Sequence, residues 1–150
     1  MQTIEVRRTI RAPIEQVFEQ IADHEGYARF PGVRKAVLTQ AGKTERNGLG
    51  AVREISAGPA WFREAITVFQ RPTRMDYQIT ASRPPLEHRG GSIRLQATAD
   101  GTAVTWTTTM RVRVPLIGGL LTRITAAQLT QAFTHMLAHI DQQLTGTSAP

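Results

Sequence analysis

One glutamate stands in the middle of an apolar run and is the first residue here that could do chemistry. The run is WFREAITVFQ, Trp61 to Gln70, and the glutamate is Glu64. Facing an apolar interior, its carboxyl would titrate above the usual range, because burial disfavours the charged form, and it could act as a general acid or base. The structural alternative is an ion pair, with Arg8 or Arg53 as the partner. His88 lies in PPLEHRGG, which reads as the loop entering the next strand. At a pocket mouth it could shuttle protons near neutral pH; exposed on a loop, it would do nothing. Tyr77 is expected inside, where its hydroxyl needs a partner or a ligand. His135 and His139 stand four apart on a helical segment, a spacing that can hold a metal. No third ligand accompanies them, so no metal and no cofactor is expected. The sequence has no cysteine, which excludes disulfides and thiolate sites.

Whether Glu64 is inside depends on the strands around it. TIEVRRTI alternates as a strand, and APIEQVFEQIAD follows with Pro13 in a first helical turn and Ile14, Val17, Phe18 and Ile21 at helical spacing. HEGYARFPG reads as a short helix or turn. From Val33 to Pro115 strand-like runs are cut by turn-rich segments, and the remainder, ending near Leu144, is one long helix. The order is strand, two short helices, about six strands, long helix. It predicts an α+β domain with a helix over an antiparallel sheet.

Two hairpins assign the faces. A turn at Asp100-Gly101 sets Leu95 opposite Trp106 and Ile93 opposite Thr108, one side largely apolar and the other polar. It also sets Gly91 opposite Met110. A turn at Pro72-Thr73 pairs Ile66 with Ile79 and Glu64 with Ala81, placing Glu64 inside. Small neighbours, Ala81, Gly90 and Gly91, would leave volume beside the carboxylate, unlike an ordinary close-packed core.

The long helix adds to this expectation. Its first apolar group, Ile117, Leu120, Leu121 and Ile124, and its second, Leu129, Phe133, Met136 and Ile140, point in directions roughly 140° apart at helical periodicity. The bridging face carries Thr125, Gln128 and Ala132, too small or polar to rest on a solid core. The helix is therefore expected to roof a cavity; the alternative is a helix that is kinked or starts later, near Thr122, with no real drift between the two groups. The cavity lining would be Glu64, Ile66, Tyr77, Ile79, Ala81, Leu95, Trp106, Thr108, Met110, Thr125, Gln128 and Ala132.

The net charge is +6, but only Lys35 and Lys43 are lysines and the arginines form no dense run. A nucleic-acid partner is not expected. The start lacks a signal-peptide pattern, and no run approaches the ~20 apolar residues of a membrane helix. A cytoplasmic chain without stable membrane insertion is expected, as monomer or homodimer.

IRAPIEQVFEQIADHEGYARFPGV, REAITVFQRPTRMDYQIT and GTAVTWTTTMRVRVP followed by the long helix resemble the START-like, or SRPBCC, helix-grip superfamily, in its polyketide cyclase/dehydrase-like branch. The resemblance implies a strongly curved antiparallel sheet of about seven strands wrapped on the C-terminal helix, with residues 1–145 as one domain and 146–150 as a frayed tail. It implies a hydrophobic cavity between sheet and helix. The first expectation is therefore a module that carries or sequesters an aromatic, isoprenoid or acyl molecule. The alternative is a cofactor-free cyclase or dehydratase on a polyketide-like carbonyl substrate, with Glu64 and His88 as its catalytic residues. YARFPGV is similar to a stretch in quinone-binding or ribosome-associated members of that branch, which gives a third reading.

Overall fold

A computed structural model describes residues 1–146. The strands are β1 (Gln2–Ile10), β2 (Val33–Gln40), β3 (Val52–Ala57), β4 (Ala60–Gln70), β5 (Arg74–Arg83), β6 (Leu86–Thr98) and β7 (Gly101–Val112). They form one curved antiparallel sheet in the order β1-β7-β6-β5-β4-β3-β2. Helix α1 (Ile14–Ala22) and a 3-10 turn (Glu25–Arg29) separate β1 from β2, and α2 (Gly118–Thr145) closes the chain. This is the expected α+β helix-grip architecture. Gly146 ends α2 in the left-handed conformation; the expected frayed tail beyond it lies outside the described residues.

Alternation accounts for the strand faces. In β7 Val104, Trp106, Thr108 and Met110 are buried and the residues between them are less so. Helix α2 lies against β1 and β7, burying Thr122, Ala126, Phe133, Met136, Leu137 and Ile140. Its first apolar group does not face the sheet: Ile117, Leu120 and Ile124 are exposed. The inward stripe is thus continuous, and the drift inferred from both apolar groups packing inward does not occur.

Both hairpins differ in register from the expected pairing. The β6–β7 turn is Ala99-Asp100, with Thr98 opposite Gly101, Leu95 opposite Val104 and Ile93 opposite Trp106. The shift is even, so each side chain keeps its face. Gly101 serves a close approach instead of the turn: a Cβ there would lie 2.2 Å from the Ile10 carbonyl oxygen. Between β4 and β5, Gln70 pairs with Arg74, and Glu64 stands opposite Ile79 instead of Ala81. Irregularities at Arg63/Glu64 and Ile66/Val68 absorb the difference, and such bulges also bend a strand.

The strand β6 runs through the segment expected to be a loop. Gly90, at φ +100, sits in the irregularity between His88 and Gly91 and lets pairing resume on both sides. Gly91 pairs with Tyr77 and Thr108, and does not leave space empty. The Tyr77 ring lies over it, so closely that a Cβ on Gly91 would fall 2.1 Å from the ring. Gly91→Ala should therefore cost about 1–3 kcal/mol through overpacking, measured by urea unfolding. Unchanged stability would show that the ring is not seated there.

Candidate functional site

Glu64 is inside, and it is paired. Arg53 of β3 stands directly opposite it, close enough for the side chains to meet. The Arg53 Nε and Nη2 each lie 2.8 Å from the same carboxylate oxygen, Oε1. Arg53 is 1% exposed and Glu64 7%. Burying such a charge is costly unless it is matched and hydrogen-bonded. The remaining nitrogen, Nη1, reaches His24 Nδ1 at 3.1 Å, and the guanidinium lies over the rings of Tyr27 (4.4 Å) and Tyr77 (5.6 Å). Tyr27 in turn donates its hydroxyl to the Ile21 carbonyl at 2.8 Å. Arg8, the other arginine considered for Glu64, pairs instead with Asp141 of α2.

His24 works as an acceptor for Arg53, so its Nε2 carries the proton and donates to the Asn47 carbonyl at 2.8 Å. Burial, then the Arg53 charge, lowers its pKa to about 3, against a smaller rise from the bond to Asn47. The imidazole is neutral and structural.

His88 is buried on strand β6 and is not an exposed loop residue. The Ile79 backbone N–H donates to its Nδ1 at 2.9 Å, which fixes the proton on Nε2. Nε2–H then donates to Thr108 Oγ1 at 2.7 Å. The ring stacks on Tyr77, with centroids 5.6 Å apart. Trp106 donates its indole N–H to the Tyr77 hydroxyl at 3.0 Å, and that hydroxyl lies 3.4 Å from Thr108 Oγ1. Burial lowers the His88 pKa to about 4 and pushes the Tyr77 phenol up.

Between these two polar groups and α2 lies a chamber of about 80 Å³. Of the residues expected to line a cavity, Glu64, Tyr77, Ile79, Trp106, Thr108, Met110 and Ala132 face it. Ile66 and Leu95 are buried in the core but do not face it, and Ala81 borders an outer groove beside Leu86. Thr125 is half-buried off the lining, and Gln128 is exposed, because the inward stripe of α2 passes through Ala126, Leu129 and Phe133. The sequence reading missed Tyr27, Ile55, Ala57, Phe62, Leu129, Phe133 and Met136. Some were legible: Arg53, Ile55 and Ala57 share one face of β3 by alternation. Phe133 was placed in the second apolar group of the long helix, and its ring stacks on Trp106 at 4.0 Å.

Among the described residues no cluster of three or more His, Cys, Asp or Glu side chains could hold a metal. His135 is exposed, and His139 meets the Phe30 ring edge-on.

The two buried histidines set a pH dependence. Both are held neutral, below the ordinary histidine range, so the unfolded chain takes up protons first as pH falls from about 6.5. The stability present at neutral pH should be lost progressively as pH falls from about 6.5 toward 4, by a few kcal/mol in total. Urea unfolding at pH 7 and pH 5 measures this; equal stabilities would contradict the two neutral, buried rings.

Solved structures share this architecture. The TTHA0849 protein of Thermus thermophilus superposes with a TM-score of 0.79 at 18% identity, over 97% of this chain and 98% of that one. A START superfamily protein from Mycobacterium smegmatis gives 0.76 at 12% identity, over 95% and 99%. Ara h 8.0201 gives 0.71 at 15% identity, over 97% and 99%. At such identities the likeness shows the fold. No curated protein has a significant sequence match to the chain. Residues 1–145 match the family model described as polyketide cyclase / dehydrase and lipid transport. The chain belongs to that family.

Proposed function

We propose that the chamber receives a small hydrophobic molecule, of aromatic, isoprenoid or acyl type, and that the protein carries or sequesters it. The observation that supports this most is the make-up of the lining. Apolar groups dominate it, and its one carboxylate is matched by a buried arginine instead of standing free. Few, well-placed polar groups in an apolar recess are the usual form of a small-molecule site. Family and fold are those of hydrophobic-ligand-binding domains.

At about 80 Å³ the chamber has room for something of single-ring size, whereas drug-sized ligands occupy pockets of roughly 300–1,000 Å³. A longer ligand would require Leu129, Phe133 and Met136 of α2 to shift outward. Strand β7, which carries Trp106, Thr108 and Met110 of the lining, is fixed in the sheet between β1 and β6. The cyclase reading has less support. It asks Glu64 to give and take a proton beside a permanent cation, and His88 has both ring nitrogens engaged.

Native mass spectra of the purified protein, compared with denaturing ones, test the proposal. The expected result is an added mass of a few hundred daltons at most, lost on denaturation. An empty protein whose tryptophan fluorescence does not respond to added apolar ligands would contradict it, since Trp106 lines the chamber.

A further inference from the structure

The hydrogen bonds around the chamber do not close on themselves, and the remainder specifies a ligand group. His88 Nε2, Trp106 Nε1, Tyr77 Oη and Thr108 Oγ1 each carry one hydrogen, and these hydrogens have three contacts to fill: His88 to Thr108, Trp106 to Tyr77, and one between the two hydroxyls. Tyr77 is the donor of that last contact, so the hydroxyl hydrogen of Thr108 is left without an acceptor among the described residues. Both hydroxyl-bearing residues line the chamber.

An unspent acceptor faces the same space. Arg53 places both its short contacts on Oε1 of Glu64, and no described residue donates to Oε2. Glu64 is 7% exposed and lines the chamber. The carboxylate and the Tyr77 ring flank one guanidinium, and Glu64, Tyr77 and Thr108 all line the one chamber. A carboxylate oxygen and a hydroxyl hydrogen open to an otherwise apolar chamber favour an occupant that completes both.

We infer that the occupant is a neutral molecule ending in a hydroxyl, which donates to Glu64 Oε2 and accepts from the Thr108 hydroxyl, with an apolar body against α2. A carboxylic acid is the wrong class, because its anion would face the Glu64 carboxylate, which already balances the charge of Arg53. This inference rests on the proposal that the chamber holds a ligand.

Four single-ring probes separate the possibilities: phenol, anisole, toluene and benzoate, titrated into the wild-type protein while the methyl signals of Ile79, Thr108 and Met110 are followed by NMR. The inference predicts that phenol shifts these signals and binds about tenfold more tightly than toluene. Anisole, which can accept but not donate, should bind more weakly than phenol, and benzoate should not bind. Toluene matching or exceeding phenol would overturn the inference while leaving an apolar ligand site intact. Anisole equalling phenol would overturn the role of Glu64, and benzoate binding as tightly as phenol would overturn the ligand class. If no probe moves these methyls, the ligand site itself fails and the inference fails with it.

Discussion

A fully buried guanidinium is the constraint around which the concave face of this protein is arranged. Arg53 cannot reach water, so every group near it answers to its charge. Glu64 supplies the opposite charge, His24 turns a lone pair toward it, and the faces of Tyr27 and Tyr77 lie against it. The attraction between the two charges is strong in so dry a place, but taking both from water costs about as much or more. A pair of apolar residues would hold β3 and β4 together as well. The pair is therefore better explained by what it does for the space beside it than by what it adds to stability.

That space exists because the sheet and α2 do not interlock there. Irregularities interrupt the pairing of β4 and β6, and Trp106 of the sheet meets Phe133 of α2 in a flat stack. The Tyr77 ring lies over Gly91 with its hydroxyl turned toward Thr108. Hydrogen bonds to backbone and hydroxyls hold His88 and Tyr77 in fixed orientations, so the polar end of the chamber is organised before anything enters it.

The architecture was legible in the sequence because alternation and turn residues act locally. The order of elements along the chain, the two short helices and the inward face of Glu64 all follow from periods of two and of about 3.6 residues. The register was not, since bulges add residues that no straight hairpin can anticipate and Gly101 serves contact with β1 instead of a turn. His88 was misplaced for the same reason: glycines that look like a loop sit inside a continuous strand. Thr125 and Gln128 were assigned to the roof on the assumption that every apolar residue of α2 faces inward, which the exposed Ile117, Leu120 and Ile124 violate. The partner of Glu64 could be narrowed to two arginines, but choosing Arg53 needed the β3–β4 pairing, which is a long-range fact.

The most direct measurement is the unfolding free energy of Arg53→Met, Glu64→Leu and the double variant at neutral pH. If the pair is kept for the site and not for stability, each single change should cost about 3–5 kcal/mol, by stranding a buried partner, and the double variant should return to within about 1 kcal/mol of the wild type or exceed it. A double variant as unstable as the worse single would contradict the account. The ion pair would then be a fastening of the sheet, and the chamber beside it a consequence of packing.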